Sequence, residues 1–365
     1  FTILLMLLSL IAFFFSLLFL QQRSTRTSAK YSIAYVQERG FMQEARVESP
    51  TIAPTPTMAV RREKKKSFRS KPWSRVECEK YFDKEECRKG DPRPRCIDHY
   101  HKNGSTPIYL IVVNHHWKLY GGLPFFRTEY FPRFHQLFNQ SFDVVYFSPA
   151  FRKDLRVVNH TLEEGGAYSY HTLAVGYTVF GHANPYSYAG YFLLNDDAFL
   201  DPIYLNEYDL THSLHEITRI YNPKEYWSWN LLKNEFKVSY PIAFYKAMED
   251  IKLIPDLENR CHLANPQNHR RGLQDFFYVT DKDIDTFVRL SSIFYAHHAF
   301  LETAAPTINW CLSHRPINTC NHHFWPNVTT CVHFHPIKLY ENSARSLVMN
   351  HINRKDIHKR IPMSW

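Results

Sequence analysis

The sequence Asn195-Asp196-Asp197 closes the apolar run Tyr188-Ala-Gly-Tyr-Phe-Leu-Leu, and Ala-Phe-Leu-Asp201-Pro202 follows it. Two adjacent carboxylates repel each other, and a bound divalent cation is the simplest compensation; their hard oxygen atoms suit magnesium or manganese. The competing use of Asp196 or Asp197 is to cap the next helix, as Asp commonly does. Other candidates are spread along the chain. Asp275 opens the short apolar run Phe276-Phe-Tyr-Val279, and Glu302 lies in an otherwise apolar segment. A carboxylate placed as Glu302 is must be either paired or functional, which makes it a candidate general base, whereas an Asp before a strand, as at Asp275, is also ordinary turn chemistry. In Cys331-Val-His333-Phe-His335-Pro336-Ile-Lys338 the alternation puts His333 and His335 on one face of a strand, with a lysine close behind. Arg270 and Arg271 are either fork-shaped donors for a diphosphate or a solvated pair.

These groups need a scaffold. Tyr191–Leu194 reads as a buried strand of a parallel sheet, since such strands are near-continuous apolar runs covered on both faces. The acids then sit at its carboxyl end, where open α/β sheets bind ligands. Upstream, Pro107–Val113 is rich in β-branched residues and ends in Asn114-His115-His116. A helical pattern follows through Phe126, Tyr130, Phe134 and Leu137, and then a second buried strand, Phe142–Phe147. Strand, helix, strand is a βαβ start. The loop after its first strand would face a nucleotide, so His115 and His116 are either base or ribose contacts or plain loop residues. A helix is expected over Tyr168–Phe180, stopped by Ala183-Asn184-Pro185. Another is expected around Phe236–Ile251, and a third from Ile284 through Ala299 that continues until Pro306 intervenes. Tyr340–Arg360 reads as a surface helix and basic tail. Trp227 and Trp229 are either core aromatics or flat rings on which the apolar face of a sugar could stack.

From Pro107 to Leu339 this order of elements, and above all Gly190-Tyr-Phe-Leu-Leu-Asn-Asp-Asp197, resembles Golgi type II glycosyltransferases of the GT-A kind, including exostosin-like enzymes and the plant STELLO-like group. The resemblance implies an α/β domain with a Rossmann-like, mixed, mainly parallel sheet flanked by helices. It implies transfer of a sugar from a nucleotide-sugar donor, UDP-linked, to a glycan or glycoprotein acceptor with the help of a divalent metal, manganese or magnesium. It makes Asp197 a direct metal ligand and His335 the late histidine that completes the coordination. Asn114, His115, Asn195 and Asp196 fall on the nucleotide side, Asp196 supporting the metal or holding the ribose, and Lys338 offsets the charge of the leaving diphosphate. Asp275 or Glu302 would deprotonate the acceptor if the enzyme inverts. The motif carries Asn195 where a strict Asp-X-Asp has its first acid. A non-catalytic, glycosyltransferase-like assembly partner is therefore one alternative, and a metal-dependent lumenal hydrolase using the histidines is another.

Composition places this domain in the secretory pathway. Phe1–Leu20 carries no charge and is long enough to span a bilayer, so 1–20 is expected to be a retained signal-anchor. The chain starts at Phe1 rather than methionine, and further residues are expected ahead of it. Sequons at Asn103, Asn139, Asn159 and Asn327 put the body in the lumen. The seven cysteines fit the same oxidising compartment: Cys78, Cys87 and Cys96 cluster early, Cys311, Cys320 and Cys331 late, and Cys261 stands alone. The span Cys78–Cys96 reads as a disulfide-tied entry loop. Cys320, His322, His323, Cys331, His333 and His335 match no standard zinc spacing, which favours disulfides. The net charge of +9 looks like a nucleic-acid signal until it is located: residues 21–75 hold 13 basic and 4 acidic side chains, a solvated stem, while the remainder is balanced at 31 of each. With no basic face left in the body, residues 76–365, nucleic-acid binding is set aside. The partners that remain are nucleotide sugar, acceptor and membrane, with self-assembly left open.

Overall fold

The computed structural model describes residues 74–354 apart from 105–106, 116–121, 150–155, 161–165, 182–187, 225–231, 235–236, 314, 318, 321–330 and 340. The expected anchor and nearly all of the stem lie outside the described residues. So do His116, Trp227, Trp229, His322, His323, the Asn327 sequon and the tail after residue 354. Among the described residues no helix is long and apolar enough to cross a membrane.

The first strands in the chain are β1 (Asp98–Tyr100), β2 (Ile108–Asn114), β3 (Ser141–Ser148), β4 (Val158–Asn159) and β5 (Gly190–Asn195). After them come β6 (Phe199–Leu200), β7 (Leu214–Glu216), β8 (Arg219–Ile220), β9 (Arg270–Arg271), β10 (Phe276–Thr280), β11 (Pro316–Ile317), β12 (Thr319–Cys320) and β13 (His333–Phe334). Eight strands make one sheet in the order β1-β3-β2-β5-β10-β7-β11, with β4 on β3. The ladders β3–β2, β2–β5, β4–β3 and β7–β11 are parallel, whereas β1 and β10 run against their neighbours. The fold is mixed α/β with a mainly parallel central sheet flanked by helices, compatible with a Rossmann-like arrangement. Its apolar runs form strands because both faces are covered. On one side Leu110, Val112 and Leu193 pack into the cluster that includes Tyr170, Leu173 and Phe244. On the other, Ile111, Val113, Phe192 and Leu194 meet Phe126, Tyr130 and Phe131.

The helices largely fall where periodicity puts them. α1 (Arg75–Glu79) and α2 (Lys84–Arg88) precede the sheet; α3 (Gly122–Phe125), a π-helical turn and α4 (Phe131–Leu137) link β2 to β3. α5 (Tyr170–Gly176) lies close on the sheet: a Cβ added to Gly176 would meet Val112 Cγ2 at 2.6 Å, so only glycine permits that approach. α6 (Pro202–Leu205) is capped by Asp201, α7 (Tyr240–Lys252) starts later than the pattern around Phe236 suggests, and α8 (Pro255–Cys261) follows it. The long helix expected from Ile284 is two helices, α9 (Ile284–Ala296) and α10 (Leu301–Leu312), separated where His298 turns left-handed at φ 56°. Pro306 does not end α10 but lies inside it. Having no N–H, it leaves the Glu302 carbonyl without its helical donor, and the Gly272 N–H takes that place at 3.0 Å. The last helix, α11 (Asn342–Ile352), is not purely a surface element, because Val348, His351 and Ile352 are buried.

Disulfides correct the cysteine reading. Cys261 is not alone but joined to Cys311, tying α8 to α10, and the entry-loop bond is Cys78–Cys87. Among the described residues Cys96 is a buried free thiol, and Cys331 is disulfide-bonded. Connectivity depends on which segments pack together, and spacing alone does not carry it.

Candidate metal and nucleotide site

β5 ends at Asn195, and the reversed direction of β10 sets the start of that strand beside it: Phe276 is the partner of Leu194. Asp275 therefore arrives from a distant part of the chain. The Asn195 amide donates to Asp275 Oδ1 at 2.8 Å and to Ser169 Oγ at 3.4 Å. Its oxygen accepts from the Asn114 amide at 3.1 Å, and Thr172 Oγ1 donates to Asn114 Oδ1 at 3.2 Å. Asn114 and Asn195 are both buried. The structure thus places these two residues beneath the site, spent on orienting Asp275, rather than on its open side. An aspartate at 195 would set a second carboxylate against that of Asp275, so the departure from a strict Asp-X-Asp has a local electrostatic reason.

Asp196 and Asp197 point to different neighbours. Asp196 Oδ2 lies 3.2 Å from His115 Nδ1, and its N–H donates to the Asn114 carbonyl. Asp197 is gripped by the late segment: the Ile337 N–H donates to its carbonyl at 2.5 Å, and its Oδ2 lies 3.3 Å from His335 Nε2 and 3.4 Å from Lys338 Nζ. The other nitrogen of His335, Nδ1, is 3.1 Å from Asp275 Oδ2. Asp197, Asp275 and His335 each offer a ligand atom within 4.8 Å of the others. Buried His335 Nδ1 makes no hydrogen bond despite its approach to Asp275. Two carboxylate oxygens and an imidazole nitrogen, one of them orphaned, form a donor set that fits a divalent cation.

The electrostatics are those of charges held close with little water. Burial pushes the Asp275 pKa up, and the charge of Asp197 adds to it although His335 pulls the other way. For His335 burial acts downward, but Asp275 and Asp197 outweigh it and raise the pKa to about 9. Glu302 is part-buried on α10 and feels Asp275, His335, Glu216 and Arg271; burial first, then the charge of Asp275, raises its pKa to about 8. Arg270 stacks on Trp310, its guanidinium 3.4 Å from the ring centroid.

Glu216 belongs to no motif in the sequence, yet it lies against the site. Its Oε1 accepts from the backbone N–H groups of Asp275 (3.0 Å) and Phe276 (3.3 Å) and lies 3.2 Å from His333 Nδ1. Burial opposes its ionisation, but His333, then His335 and the Phe276 N–H, hold its pKa below the ordinary value. The ring of His333 stacks on that of His335, interplanar angle 7°, so the expected shared face is present, with His333 buried behind His335. The strand β7 has three residues, too few for a periodic signal; an acid directly after His215 was the only cue.

A second group is formed by His99 on β1, His101 just after it and Asp143 on β3, with ligand atoms also within 4.8 Å of one another. No model of a known protein family matches this chain, and no curated protein matches it.

Proposed function

We propose that this chain is a divalent-cation-dependent glycosyltransferase that moves a sugar from a nucleotide-diphosphate donor, UDP-linked, to a hydroxyl of a glycan or glycoprotein in the Golgi lumen. One observation carries it: Asp197, Asp275 and His335, from three distant segments, converge with Lys338 at the carboxyl edge of β5. Ligands of open α/β sheets bind at that edge. Mixed oxygen and nitrogen donors suit manganese, with magnesium second. When bound, the cation would neutralise the diphosphate as the sugar–phosphate bond breaks.

The chain's own groups supply the rest. Lys338, half-exposed beside Asp197, offsets charge on the departing oxygen. Asp196, next to the end of β2, holds the ribose side of the donor, and the buried His115 positions it from 3.2 Å. Asp275 is fixed between Asn195 and His335, so Glu302 is the better proton acceptor, with a pKa close to the working range of a general base. The acceptor O–H proton passes to Glu302 as its oxygen bonds to the anomeric carbon and the bond to phosphate breaks, with inversion. Disulfides and the exposed sequon residues Asn103 and Asn139 support an oxidising, glycosylating compartment.

Binding of a panel of nucleoside diphosphates to the full chain, with and without manganese and beside Asp197→Ala, tests this. Manganese-dependent binding that the substitution abolishes is expected. A folded protein that binds no nucleotide would move the assembly-partner alternative ahead, and metal-dependent turnover without any nucleotide would favour a hydrolase.

A further inference from the structure

At the far rim of the sheet, Asp98-His99-Tyr100-His101 forms and leaves the edge strand β1. Alternation puts His99 and His101 on the same face, and β1 pairs antiparallel with β3 so that His99 is the direct partner of Asp143. His99 Nδ1 and His101 Nε2 both approach the same atom, Asp143 Oδ1, at 2.7 and 2.8 Å. The Tyr188 hydroxyl donates to Asp143 Oδ2 at 2.7 Å and fixes the carboxylate from below. Asp143 is fully buried, whereas His99 and His101 are 53% and 39% exposed. A buried carboxylate needs compensation, and here two imidazoles lie over it with solvent beyond.

We infer that His99, His101 and Asp143 form a second divalent-cation site, of the nitrogen-rich kind that takes zinc, separate from the site at the end of β5. Two imidazoles and a carboxylate are a common zinc donor set, with remaining positions open to water. Ligand atoms around tetrahedral zinc stand about 3.3 Å apart, so the cluster has to open by roughly half an ångström, which exposed side chains on an edge strand allow. Each neutral imidazole then carries its proton on the outward nitrogen, and no group is oxidised or reduced. The Tyr188 bond to Asp143 is the kind of outer support that fixes a ligating carboxylate. A cation there would pin a three-residue edge strand to β3 and present its open positions at the surface.

Equilibrium dialysis of the full-length protein against zinc alone tests the site. The Asp197→Ala/His335→Ala protein should keep the rim equivalent of zinc, and His99→Gln/His101→Gln should lose it or bind it at least about tenfold more weakly. In the wild-type protein zinc should protect His99 and His101 from acylation by diethyl pyrocarbonate, a readout that needs no variant. Unchanged zinc binding by a folded His99→Gln/His101→Gln protein, or equal acylation with and without zinc, overturns the inference.

Discussion

Asp197, Asp275 and His335 meet at the carboxyl edge of the central strand, and His99, His101 and Asp143 meet at the rim of the same sheet. The rim cluster is local: one alternating tetrapeptide and one cross-strand partner assemble it. The central cluster is topological. It requires β10 to enter against the direction of β5 and the segment after β13 to fold back over the acids. The two also differ in what surrounds them. Around the central one stand Lys338, the His115–Asp196 pair, Glu302 and the buried Glu216–His333 pair, whereas the rim histidines face solvent. The uses proposed for the two clusters differ accordingly: with charged neighbours the central one suits a cation together with a diphosphate, and without them the rim one suits a cation alone.

The largest effect expected from breaking this contrast is on the central side. Asp197→Ala or His335→Ala should lower manganese affinity by about 100-fold or more, and sugar transfer with it, while leaving zinc at the rim untouched; titration of each metal checks both halves.

Asn195→Asp comes next. It removes the donor to Asp275 and adds a buried like charge, so a loss of about 3 kcal/mol in stability at neutral pH is expected, partly regained on acidification as the new carboxyl takes up a proton. Unchanged denaturant midpoints at pH 7 would contradict the positioning role of Asn195.

A third effect is in pH. With the His335 pKa at about 9 without a cation, the imidazole must lose its proton to ligate. Apparent manganese affinity should therefore rise roughly tenfold per unit from pH 6 to 8 and flatten above about 9. Affinity that is flat across this range would remove His335 from the ligand set.

Glu216→Gln keeps the shape but weakens the acceptor for two backbone N–H groups, and should cost about 1–3 kcal/mol with a smaller loss of manganese affinity. The smallest effect is the cross-control: His99→Gln should change manganese-dependent nucleotide binding by less than about twofold, since distant sites are nearly additive.

Much of the central site was legible in the sequence because each of its members interrupts an apolar pattern. Asp197 ends a buried strand, Asp275 opens another, and His335 alternates with His333. What could not be read was their meeting, since the antiparallel insertion of β10 is a tertiary fact. For the same reason Asn195 looked like a damaged acid, whereas its amide is the link between β2 and Asp275. Pro306 looked like a helix stop until Gly272 supplied the missing donor. Glu216 and His99 stayed hidden because three-residue strands are too short for any periodic signal, and His101 because it follows such a strand. The Cys261–Cys311 bond joins residues 50 apart that only helix packing brings together.

Whether Asp197, Asp275 and His335 together hold one divalent cation is read out by manganese binding followed by electron paramagnetic resonance on the full chain. One high-affinity equivalent in the wild-type protein, absent from Asp197→Ala and from His335→Ala and present in His99→Gln/His101→Gln, is the predicted result. Manganese bound equally well by folded Asp197→Ala and His335→Ala proteins would contradict it.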